Sequence, residues 1–87
     1  MLKINSSVVH RTIDGKVFIA DTSRSMLYEL NESATFIWRI ISGKKAASVE
    51  EIVARLMKEY DVDGKTARRD TARLINYLTR RKLLLPS

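Results

Sequence analysis

Residues 25–38 change hydrophobic period with no loop between the two halves. Met26, Tyr28 and Leu30 alternate with Ser25, Leu27 and Glu29, the two-residue repeat of a β-strand. From Ala34 the apolar residues fall at Ala34, Ile37, Trp38 and Ile41, the i, i+3, i+4, i+7 spacing of a helix. Asn31 stands at the junction, where a short polar side chain accepts a hydrogen bond from an amide of the first helical turn. Glu32 follows, and negative charge suits that end of the helix dipole. A strand that feeds directly into a capped helix dictates how a sheet meets a helical layer. The remaining elements must pack around that joint.

Upstream, residues 8–13 carry β-branched side chains and end at Asp14-Gly15, a hairpin signal because both positions tolerate positive φ. Residues 16–20 read as the second strand of that hairpin, and residues 24–30 as a third strand after a polar turn. Consecutive strands joined by tight turns form an antiparallel meander, with the first and third at its edges. Downstream, a first helix over 32–42 ends at Gly43, and residues 44–47 form a loop. Ser48 and Glu51 make a capping box for a second helix whose inward face is Val49, Ile52, Val53, Leu56 and Tyr60. Asp61-Val62-Asp63-Gly64 breaks that helix. A third begins near Lys65 or Thr66, with Ala67, Thr71, Leu74, Ile75 and Leu78 inward. The apolar tail Leu83-Leu84-Leu85 before Pro86 is expected to pack back on the domain. Three strands followed by three helices give an α+β fold. Its last two helices form a helix-turn-helix beside a hairpin, the arrangement of a winged helix.

At 87 residues the chain has room for one domain, spanning 1–87. It has no cysteine, which removes disulfides and thiolate metal sites and fits a reducing cytoplasm. No apolar run approaches the roughly 18 residues of a membrane span, and the N-terminus lacks a signal peptide's apolar segment, so a cytoplasmic location is expected. The net charge is +6. Between residues 65 and 82, Lys65, Arg68, Arg69, Arg73, Arg80, Arg81 and Lys82 face Asp70 alone. Such a helix either attracts a polyanion or acidic peptide, or is simply a solvated face.

Catalytic chemistry is poorly supplied, and neither an enzyme nor a cofactor is expected. His10 is the single histidine and reads as a strand surface residue. Asp61 and Asp63 lack the remaining ligands of a calcium loop. There is no glycine-rich phosphate loop and no nucleophile elbow. Two binding readings remain. In the first, a small winged-helix DNA-binding protein, Arg68, Arg69 and Arg73 on the third helix meet the duplex. Against it, Asp61 and Asp63 at that helix's N-terminus would face phosphate. In the second, the free edge of the third strand accepts an extended peptide as a further strand.

The order of these motifs resembles the PqqD-like family. It runs from a hairpin to Tyr28-Glu29-Leu30-Asn31, then Ala34 and Ile37-Trp38. Ser48-Val49-Glu50-Glu51-Ile52, Tyr60-Asp61-Val62-Asp63, Arg69-Asp70 and Leu83-Leu84 follow. The resemblance covers residues 8–85. It implies a winged-helix-like, non-catalytic domain that recognises the leader segment of a ribosomally made precursor peptide. The leader adds to the third strand and rests against the third helix, and the precursor passes to a processing enzyme, fused or separate. Such domains serve leader peptidases of lasso-peptide pathways, radical enzymes and quinone-cofactor synthesis; the Tyr-x-Leu-Asn joint is most like the lasso members. Carried onto this chain, the resemblance places the peptide on Arg24, Ser25, Met26, Leu27, Tyr28 and Glu29. On the third helix the expected border is Arg68, Ala72 and Ile75; the opposite border, Asp70, Tyr77 and Arg81, stays open. Two positions depart from the pattern: Lys82 stands where many relatives have Gly, and Thr71 where they have a bulkier aliphatic. The expected partners are a precursor leader peptide and a separate processing enzyme such as a leader peptidase, with no specific nucleic acid and no membrane.

Overall fold

In the computed structural model, which describes residues 2–43 and 48–86, the meander forms as expected. Strands β2 (Val9–Ile13), β3 (Lys16–Asp21) and β4 (Met26–Glu29) make an antiparallel sheet in that order, so β2 and β4 are its edges. Asp14 and Gly15 take φ of 51° and 78° and close the hairpin at Ile13 and Lys16. β4 is shorter than the alternation implies. Arg24 and Ser25 belong to the turn before it: their amides donate to the Asp21 and Thr22 carbonyls, and Ser25 has φ of 53°. Leu30 lies past the strand, yet its amide still donates to Val17 O at 2.9 Å.

Three capped helices follow, α1 (Glu32–Ser42), α2 (Val49–Glu59) and α3 (Gly64–Arg80). Asn31 Oδ1 accepts from the Ala34 amide at 2.9 Å, Ser48 Oγ from Glu51 and Asp63 Oδ1 from Thr66. The loop expected over 44–47 lies outside the described residues. Gly43 ends α1 with φ of −81°, so the stop there does not use a left-handed residue. The end of α3 does. Lys82 takes φ of 59°, with its amide on Thr79 O and the Leu83 amide on Leu78 O, the paired bonds of a Schellman motif. Glycine adopts this left-handed conformation without strain, so Lys82 occupies a position that suits Gly.

The apolar tail packs back as expected, but as a strand. β5 (Leu84–Pro86) pairs antiparallel with β1 (Leu2–Ile4), a second small sheet that the hydrophobic pattern did not reveal. Asn5 fastens this sheet to the α3 cap through Nδ2–H on Lys82 O at 2.8 Å. Between the layers, Trp38, Ile19, Ile52, Leu78, Leu83 and Leu84 are fully buried. His10 is exposed on β2, and its ring meets the edge of Trp38 at 5.4 Å. Among the described residues, no helix is long and apolar enough to cross a membrane.

The joint from β4 into α1 is tied by a residue that periodicity overlooks. Thr35 is buried, and its hydroxyl accepts from the Val17 amide at 3.0 Å and donates to Leu30 O at 3.2 Å. It thus bridges two strands where they diverge.

Candidate binding groove

The free side of β4 faces α3 across a groove. Because the Leu30 amide bonds back to β3, antiparallel alternation turns the N–H and C=O groups of Leu27 and Glu29 outward. Alongside, α3 runs opposite to β4. Tyr77 meets Tyr28 ring to ring at 6.5 Å, and Arg24 Nη1 lies 3.5 Å from Arg81 O. Further along, Asp70, Arg73 and Leu74 face Glu29, Leu30 and Asn31. The cavity at that end holds about 540 Å³. Its floor is apolar, built from Leu30, Ala34, Ile37 and Leu56, with Leu74, Tyr60 and Val62 as walls. Asn31, Ser33, Asp70 and Arg73 form a polar rim.

Charge along the groove is uneven. Arg81 stacks over the Tyr77 ring at 3.6 Å and donates to Tyr77 O. Glu29 pairs with Lys16 at 3.5 Å and Asp70 with Arg69 at 3.7 Å, both in solvent-exposed geometry that contributes little to stability. Burial pushes the Tyr60 hydroxyl above its ordinary pKa, and the carboxylates of Glu32 and Glu59 push the same way, so it remains a neutral donor at physiological pH.

Of the residues expected at the site, Met26, Leu27, Tyr28 and Glu29 form the strand edge, and Arg24 and Ser25 sit at the mouth of the groove in the preceding turn. Arg68, Ala72 and Ile75 are not brought to it. The buried centre of α3 is Ala67, Thr71 and Leu78, and at 3.6 residues per turn Asp70, Leu74 and Tyr77 lie on one flank, Arg68, Ala72 and Ile75 on the other. The direction in which α3 crosses the sheet brings the first flank to β4, so the open alternative Asp70, Tyr77 and Arg81 is the one that meets the edge. Sequence reasoning did not place Tyr60, Val62 or the floor residues Ala34 and Leu56 at the peptide site, and named Arg73 only as a candidate DNA contact. Ala34, Leu56 and Tyr60 read as ordinary helix faces and Val62 as part of a helix break, and only the tertiary arrangement converges them. Among the described residues no group of His, Cys, Asp and Glu could hold a metal ion.

The family model described as coenzyme PQQ synthesis protein D (PqqD) matches residues 16–84. This chain belongs to the PqqD family. No curated protein matches it. Two solved structures share the PqqD-type fold. TbiB1 in complex with the TbiA(beta) leader peptide is 30% identical, with a TM-score of 0.87 over 98% of this chain and 96% of TbiB1. A lasso peptide synthetase B1 complexed with its leader peptide is 22% identical, with a TM-score of 0.86 over 98% of both chains. At that identity the second shows the fold alone.

Proposed function

We propose that this PqqD-family chain is a single, non-catalytic domain that binds the leader segment of a precursor peptide in a lasso-peptide pathway. It presents the precursor to a separate processing enzyme, such as a leader peptidase. The observation that carries the reading is the unpaired β4 edge standing over an apolar-floored groove walled by α3. An extended segment laid there would bond to the outward groups of Leu27 and Glu29, and its inward side chains would meet Leu74, Tyr77 and Tyr28. The 30%-identical TbiB1, solved in complex with the TbiA(beta) leader peptide, supports the reading.

The test is a titration of the 15N-labelled protein with the TbiA(beta) leader peptide, with random duplex DNA as a control. Amide shifts concentrated at Met26, Leu27, Tyr28 and Glu29 and at Asp70, Leu74 and Tyr77 are expected. DNA should give only weak shifts that vanish at physiological salt. Shifts confined to β2 or to the Arg68, Ala72 and Ile75 flank would overturn the placement.

A further inference from the structure

The groove has one strongly basic mouth. Where β4 begins and α3 ends, Arg24 Nη1 donates to Arg81 O at 3.5 Å, and Arg80 and Lys82 flank Arg81 along the chain. The carboxylate among them is Asp21, buried and 3.9 Å from Arg24 Nε, with the Ser23 hydroxyl also on it. Arg80, Arg81 and Lys82 have no carboxylate within salt-bridge distance among the described residues. Cations at a helix C-terminus are stabilising in their own right, but the dipole offsets only about half an elementary charge. Arg81 meets that need with one bond to Tyr77 O. Among the described residues no carboxylate pairs with the rest of this positive charge. The opposite end is mixed in charge: Glu29 and Asp70 share its rim with Arg73, and Lys16 and Arg69 pair with the two carboxylates.

We infer, building on the leader-binding reading, that the Arg24–Arg80–Arg81–Lys82 mouth receives carboxylates of the bound precursor and thereby sets which way round the peptide lies. Addition in the antiparallel sense continues the sheet's own pattern. Since β4 runs away from Arg24, an antiparallel strand reaches this mouth with its C-terminal end. The precursor therefore carries Asp or Glu directly after its strand-forming segment, on the side leading to the part that is processed. A reversed peptide would bring those carboxylates to the mixed-charge end, where Glu29 and Asp70 offset Arg73, Lys16 and Arg69 and less net positive charge is left to hold them.

The probe is a displayed library of random peptides long enough to fill the groove and extend beyond both ends. It is selected against the intact wild-type protein and against the Arg80→Glu, Arg81→Glu double variant, with circular dichroism to confirm that the variant folds. An Arg80→Gln, Lys82→Gln variant gives a milder neutralisation that leaves the Tyr77 stack intact. Wild type should enrich Asp and Glu C-terminal to the apolar strand segment. The double variant should lose that enrichment, and the neutralised one should weaken it. Replacing the enriched acids by amides in a selected peptide should weaken binding roughly five- to tenfold at low salt, shrinking as salt rises. Acids enriched N-terminally, no positional enrichment, the same enrichment in both charge variants, or displacement of the peptides by duplex DNA at physiological salt would each overturn the inference. Selected peptides indifferent to Leu74→Asp would instead overturn the leader-binding reading beneath it.

Discussion

Thr35 does two jobs with one hydroxyl, and a buried bridge of that kind is costly to remove. Valine has nearly its shape but would leave the Val17 amide and the Leu30 carbonyl without partners. An unsatisfied buried polar group costs about 1–3 kcal/mol, so Thr35→Val should lose at least that, while Thr35→Ser loses less. Urea denaturation of the two variants decides, and equal midpoints would mean the bridge carries no stability. Its neighbour Trp38 is 0% exposed, and Trp38→Ala should cost about 3–5 kcal/mol. Against the about 5–15 kcal/mol that stabilises a typical domain, that loss approaches unfolding. Lys82 poses the reverse case. Its left-handed backbone tolerates Gly freely but crowds a β-branched side chain, so Lys82→Gly should be near neutral and Lys82→Val should destabilise by about 1–2 kcal/mol.

At the scale of elements, caps decide where each helix begins. The Asp63 carboxyl lies below its ordinary pKa, chiefly because the Thr66 amide donates to its ionised form. A group depressed in the folded state stabilises above its unfolded pKa of about 3.9, and that contribution fades as pH falls through the folded value. Asparagine caps without titrating. Acid unfolding should therefore penalise wild type more than Asp63→Asn, the gap opening below about pH 4. Parallel acid curves would show that the cap is not linked to protonation. Asp63 read only as part of a helix break, whereas the Asn31 and Ser48 caps, the Asp14-Gly15 turn and the 3.6-residue stripes were legible in the sequence because each is a local signal. β1 and β5 were not. Each spans three residues, and each acquires a partner only from the other end of the chain. The groove flank was hidden for a related reason. Periodicity marks Ala67, Thr71 and Leu78 as inward, but both flanks of that stripe look alike until the crossing of α3 over the sheet is known.

At the scale of the whole molecule, binding has to draw on both walls of the groove. In the proposed mode, the outward groups of Leu27 and Glu29 would supply hydrogen bonds of a net ~0.5–1.5 kcal/mol each. Micromolar affinity needs about −8 kcal/mol after association entropy has been overcome, so those bonds fall well short. Burying apolar peptide side chains against Leu30, Ile37 and Leu74, at about 1.5–3 kcal/mol per large side chain, must make up the difference. Three changes are thereby ranked. Leu74→Asp places a charge on the groove wall and should abolish binding. Ile75→Asp alters an equally half-buried position on the far flank, so it should cost folding stability yet leave leader affinity close to wild type in whatever fraction folds. Arg68→Glu, exposed on that far flank, should change only the salt dependence. In the peptide, proline at a residue opposite Leu27 or Glu29 should be as severe as Leu74→Asp, because it deletes a donor from the ladder. Calorimetry on the variants and a proline scan of the peptide give the ranking directly. Should Ile75→Asp abolish binding in a folded protein while Leu74→Asp spares it, the peptide lies on the other side of α3. Should no position in the peptide resist proline less than its neighbours, strand addition itself is wrong.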